Sequence, residues 1–118
     1  MIPPLPVPNY AHTAKLLQEH DGDSFWLAVD FGRLSHGVNL ILPLYIRLAD
    51  IDCWELDQPK GIEARDYTAW ILKNAGTITV QTFKDLEKYG RVLCRVWADG
   101  DYLPDLLRAH GMEKTHAQ

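Results

Sequence analysis

The chain has 118 residues, 47% of them hydrophobic, enough to bury roughly two-thirds of its unfolded surface around one core, which excludes disorder for its bulk. Twelve Lys and Arg stand against 16 Asp and Glu, a net charge of −4. No apolar run approaches the roughly 20 residues of a membrane helix, and the opening MIPPLPVPNY has prolines where an export signal needs an unbroken helical stretch. The cytoplasm is therefore the default expectation, with export left open for a longer precursor, and no membrane partner is expected. Cys53 and Cys94 cannot make a disulfide framework, and no Cys/His spacing reads as a zinc site.

Residues 1–9 read as a Pro-rich tail, 10–113 as one domain and 114–118 as a second tail. From Tyr10 to His20 apolar and polar residues alternate loosely, and Ser24 to Phe31 alternates cleanly, so the Asp21-Gly22-Asp23 turn between them predicts a hairpin. After a polar loop over 32–37, Val38 to Asp52 is a long β-favouring run that Pro43 is expected to split into two pieces at an edge or bulge. Ala64, Tyr67, Ile71 and Ala75 recur at helical spacing, predicting a helix over 61–75 with Gly76 as its left-handed stop. Thr77–Phe83 and Arg91–Trp97 return to β pattern around the charged turn 84–90. Pro104, Leu103, Leu106, Leu107 and Gly111 define a short second helix. The order β-β-β-α-β-β-α predicts a mainly β fold with helices, a small closed or nearly closed barrel with one helix inserted between strands three and four.

The charge is unevenly distributed. Residues 1–59 carry three bases against eight acids, a net of −5, and the remainder nine bases against eight acids. The acids of the first half cluster as Asp21-Gly-Asp23 and Asp50-Ile-Asp52-Cys-Trp-Glu55. Such groups either repel or share a cation, and hard cations such as calcium take carboxylate and carbonyl oxygens.

Four segments, Asp21-Gly22-Asp23-Ser24, Ile46-Arg47-Leu48-Ala49-Asp50-Ile51-Asp52-Cys53-Trp54-Glu55, Gly61-Ile62-Glu63-Ala64 and Lys88-Tyr89-Gly90-Arg91-Val92-Leu93, stand in this order. In content, order and approximate spacing the set resembles the staphylococcal-nuclease-like, or thermonuclease, family, over roughly Tyr10 to Gly111. The resemblance implies an OB-type five-stranded barrel with an inserted helix and a C-terminal helix, in agreement with the element order. It also implies a calcium-dependent nuclease that hydrolyses DNA and RNA phosphodiesters with little sequence preference. The resemblance gives calcium ligands at Asp23, Asp52 and the backbone carbonyl of Cys53, and a Glu acting through water at Glu55. Arg47 and Arg91 match the arginines that grip the scissile phosphate, and Lys88 and Tyr89 match contacts to the substrate's terminal phosphate.

These residue types suit the chemistry. Phosphodiester hydrolysis places a nucleophile in line with the leaving oxygen while negative charge spreads over the equatorial oxygens. A dication between two carboxylates acts as Lewis acid, two guanidinium forks clamp the charge bidentately, and Glu55 is the candidate general base. Taken singly, each residue has a plainer reading: Asp23 as a turn residue, Arg47 as an outward strand charge, Arg91 as a loop charge facing Glu87. Asp21, Asp50 and Asp57 are expected to hold turns or support the site. The five histidines are expected at the surface, Trp26, Trp70 and Trp97 in or half in the core, and Cys94 as a small buried filler.

The sequence departs from the family pattern in three places. Trp54 stands where the family has Pro, and it serves either as a base-stacking face or in packing. Residues 32–45 are longer than in the simplest members, as a hairpin arm near the site or a dimer contact; monomer and homodimer both remain open. The C-terminal tyrosines that stack on the base in longer members have no counterpart. The expected partner is single-stranded DNA or RNA, and the competing class is an OB-type nucleic-acid or protein binding module without catalysis.

Overall fold

The computed structural model describes residues 11–86 and 90–115. Its elements run β1 (Ala11–Glu19), β2 (Ser24–Arg33), β3 (Asn39–Leu48), α1 (Pro59–Asn74), β4 (Ile78–Leu86), β5 (Val92–Ala98), β6 (Asp101–Tyr102) and α2 (Leu103–Ala109). The sheet order is β3-β2-β1-β4-β5-β6, and a parallel pairing of β3 with β5, Ile46↔Val92 to Leu48↔Cys94, closes five strands into a barrel. The fold is thus the mainly β, OB-like barrel with helices that the element order predicts. No helix among the described residues is long and apolar enough to cross a membrane.

The period of two in β2 decides its faces. Phe25, Leu27 and Val29 are fully buried, and Ile46, Leu48, Val80, Cys94 and Val96 join them from the other strands. Leu72 and Ala64 of α1 and Leu103 and Leu107 of α2 complete this core. Cys94 is the expected filler, and burial pushes its thiol up to about 12. Of the three tryptophans expected in or half in the core, Trp97 is fully buried. Trp26 is 39% exposed because its register puts it on the outer face of β2 between two inward residues, and Trp70, 62% exposed, is on the solvent side of α1.

The third strand is continuous, not split at Pro43. The Leu48 N–H donates to Asp23 O on the β2 side, while the Ala49 N–H donates to Cys94 O on the β5 side. Backbone groups alternate sides along a strand, and the register to β2 is unbroken from Arg47 to Ile41. Pro43 therefore faces away from β2, on the side where β5 pairs only with Ile46 to Leu48, and its missing N–H interrupts no ladder. Beyond that pairing β3 runs on against β2, which β1 flanks as far as Asp30, and the β2–β3 pair extends past β1 to Arg33↔Asn39, so strand structure reaches into the expected loop.

Helix α1 begins at Pro59, two residues before the expected start, with proline in its first turn. Gly76 is not left-handed. The helix instead ends where the Asp99 carboxylate accepts the N–H groups of Gly76 and Thr77, at 3.1 and 2.8 Å. Strand β4 runs to Leu86, past the expected Phe83.

Gly61 is required by close approach. A Cβ there would lie 1.7 Å from the Glu55 carbonyl oxygen, an atom of backbone that cannot turn aside. Gly61→Ala is expected to destabilise by about 3 kcal/mol or more, a fall of roughly 10 °C in Tm for a domain of this size. Unchanged melting by differential scanning calorimetry would show that α1 does not need this contact.

Candidate active site

The Asp21-Gly22-Asp23 turn is held from two directions. Asp21 Oδ1 accepts the Asp23 N–H at 3.2 Å, closing the turn on its own side chain. The Thr68 hydroxyl of α1 donates to Gly22 O at 2.8 Å. A Cβ on Gly22 would meet Ala64 Cβ at 2.7 Å and Cys53 Cβ at 2.9 Å, so glycine lets the turn, α1 and the Cys53 segment close together. This packing turns Asp23 inward, where it is 8% exposed.

Asp23 Oδ2 accepts the Cys53 N–H at 2.9 Å and lies 3.5 Å from Arg47 Nη1. Burial, joined by the hydrogen bond with Asp21, pushes the Asp23 carboxyl from 3.8 up to about 6, against the downward pull of the Cys53 N–H and Arg47. The Cys53 thiol is pushed up to about 12 by burial and by the neighbouring carboxylates, so it stays protonated at neutral pH. Arg47, at the end of β3, donates through Nη1 to the carbonyls of Leu48 and Ile51, at 2.6 and 2.7 Å, and through Nη2 to Asp52. That hub shapes the turn after β3, in which Asp50 takes a positive φ of 71° and accepts the Tyr102 hydroxyl. Asp50 thus supports the turn, as expected for it. The turn is also braced from the C-terminal side: the Lys114 N–H donates to Asp52 O at 2.7 Å, and Cys53 bridges to Glu113.

Arg91 precedes β5, which lies parallel to the end of β3, so two positions far apart in sequence become neighbours. Its Nη1 donates to the Ser24 hydroxyl at 2.7 Å, and that hydroxyl donates to Asp23 Oδ1 at 3.4 Å. The result is an open cleft of about 640 Å³ lined by Asp23, Arg47, Asp52, Cys53, Glu55 and Arg91, together with Asp21, His20, Tyr45 and Lys114.

Six of the residues singled out in the sequence therefore line one cleft. Trp54 does not line it; the residue is half-buried and its indole nitrogen is buried with no hydrogen-bond partner among the described residues. Lys88 and Tyr89 lie outside the described residues. Sequence reasoning missed His20, Tyr45 and Lys114. Tyr45 had a signal, since it alternates with Arg47 along one strand face, and His20 adjoins the acidic turn. Lys114 had none, because only the return of the C-terminal segment brings it in.

The donor set is mostly oxygen: four carboxylates line the cleft, and Cys53 lines it with them. This chemistry fits a hard dication such as calcium, and the raised Asp23 carboxyl marks a buried acid whose charge is only partly compensated. In the structure Arg47 pairs with both Asp23 and Asp52. Among the described residues no three His, Cys, Asp or Glu side chains come together as one ligand cage. Neither the models of known protein families nor the sequences of curated proteins give a match to this chain.

Proposed function

We propose that this chain is a calcium-dependent nuclease that hydrolyses phosphodiester bonds of single-stranded DNA or RNA with little sequence preference. The observation that supports this reading most is the convergence of two guanidinium groups, Arg47 and Arg91, on a cleft that also holds Asp23, Asp52 and Glu55. A binding module would be served by the arginines alone. Keeping a carboxylate such as Asp23 buried beside other acids costs stability, and a catalytic site that uses a cation gives that cost a purpose.

In this reading Asp23, Asp52 and the Cys53 carbonyl would hold calcium, with Glu55 acting through water, and the ion would supply Lewis acidity toward the phosphate. The chain's own groups do the rest. Arg91, braced on Ser24, would present its planar fork to the phosphate oxygens as charge builds on them, and Arg47, whose Nη1 is taken by two backbone carbonyls, would reach them through Nε and Nη2. Glu55, which lines the cleft, would take a proton from attacking water. Since these groups address the phosphate and none reads a base edge, cleavage is expected to be indifferent to sequence.

Single-stranded DNA incubated with the protein in calcium, magnesium or chelator tests the proposal. Cleavage is expected in calcium, weakly in magnesium, which prefers rigid octahedral geometry, and not in chelator. Retention of intact strands in calcium, with affinity falling steeply as salt rises, would make the chain a binding module instead.

Calcium is also expected to stabilise the fold. Ligand at a hundred times its Kd adds about 2.7 kcal/mol when it binds only the native state. The melting temperature should rise accordingly and return with chelator. An Asp23→Ala, Asp52→Ala double variant that keeps the full shift would place the ion elsewhere.

A further inference from the structure

Cross-strand register places Trp26 of β2 directly opposite Tyr45 of β3. Their rings lie nearly parallel, 10° apart in plane, with centroids 5.0 Å apart. His20 also meets Tyr45, edge-on, at 5.7 Å and 71°. Tyr45 and His20 line the cleft, whereas Trp26 stands outside it on the barrel face, 39% exposed. Tyr45 thus joins a ring inside the cleft, His20, to an exposed indole outside it, Trp26.

Arg47 is two residues from Tyr45 on the same strand, and two residues span roughly 6.5 Å along a strand. Arg47 and Tyr45 therefore leave β3 on one face and both line the cleft, a guanidinium beside an aromatic ring, as a nucleotide carries a phosphate beside a base. An exposed cross-strand aromatic pair adds a little to sheet stability, but that role accounts neither for its continuity with the cleft nor for the indole's exposure.

We propose that Trp26 and Tyr45 form a stacking subsite for the bases of a single-stranded nucleic acid whose phosphate lies at Arg47 and Arg91. This rests on the reading of the cleft as a phosphodiester site, and it adds a source of base contact within the barrel itself. Stacking accepts any base, because every base has a π face, so the subsite would lengthen the bound strand without imposing a sequence.

The test measures binding in chelator, where no cleavage is expected, by fluorescence anisotropy. The probes are a labelled twelve-nucleotide oligothymidylate and an abasic strand of equal length and charge. The intact chain should bind the oligothymidylate about tenfold or more tightly than the abasic strand. Trp26→Ala and Tyr45→Ala should each bring that ratio toward one while affinity for the abasic strand stays within about twofold, and Trp26→Phe should preserve most of the ratio. A ratio unchanged in Trp26→Ala overturns the subsite, as does a ratio near one in the intact chain. Base-dependent binding through Trp26 without cleavage in calcium would support the subsite and remove the nuclease. Failure to bind either strand in chelator would overturn the subsite, and failure both to bind in chelator and to cleave in calcium would overturn the phosphodiester reading of the cleft with it.

Discussion

Arg91→Lys is expected to lower the rate of single-stranded DNA cleavage by about a hundred- to a thousandfold, the usual effect of losing one preorganised donor to a developing oxyanion. Lysine keeps the charge and loses the planar fork, so a fall of this size would come from geometry rather than from net attraction of the strand. The fold should tolerate the change, since an ammonium at this position can still reach the Ser24 hydroxyl that Arg91 Nη1 holds. Arg47→Lys is a different experiment. The Arg47 guanidinium spans the carbonyls of Leu48 and Ile51 and the carboxylate of Asp52 at once, and one ammonium cannot. That variant should lose cleavage and melting temperature together, through the turn after β3. Steady-state kinetics with circular dichroism melts separate the two. Near-normal turnover in Arg91→Lys would take Arg91 out of the catalytic set.

The strands were legible where one face is buried. Phe25, Leu27 and Val29 alternate with more exposed partners because the barrel has one inside, and a period of two follows directly. The same pattern hid the fate of Pro43, since which side of a strand meets a neighbour depends on barrel closure, which alternation does not contain. Gly76 misled for a similar reason: a carboxylate 23 residues later, Asp99, terminates α1 in place of a left-handed glycine. For the site, the acidic turn and the Arg47–Glu55 segment were readable as local clusters. Arg91 joins them only because β5 pairs parallel with β3, and its place was anticipated from the resemblance alone. Lys114 was not anticipated by any route, since it reaches the cleft through a backbone hydrogen bond to Asp52 made across 62 residues. For Trp26 the strand pattern gives the period but not the face, and the register puts it on the outer one, 39% exposed.

Asp23→Asn is expected to make the protein more stable at neutral pH and inactive. The folded-state pKa of Asp23 lies near 6, above its ordinary 3.8, because burial outweighs the help from Cys53 and Arg47. The native state therefore binds this proton more tightly than the unfolded chain does. The sign follows: the contribution to stability is fully present below about pH 4 and is lost as pH rises through about 6. At pH 8 the fold holds a largely desolvated anion, and a shift of this size corresponds to roughly 2 to 3 kcal/mol. Asparagine removes the charge and keeps an oxygen for the Cys53 N–H, which now bonds Asp23 Oδ2 at 2.9 Å. The variant should melt roughly 8 °C higher than the parent at pH 8 in chelator, with the gap closing toward pH 4, where the parent's carboxyl is itself protonated. Added calcium should narrow the gap from the other side, because a cation at Asp23 stabilises only the parent. Cleavage should fall to background in the variant at every pH. Such a pair of results would show stability given up at one buried carboxylate for the sake of activity. A variant that melts below the parent at pH 8 would instead mean that the ion pair with Arg47, 3.5 Å away, outweighs the burial of the charge.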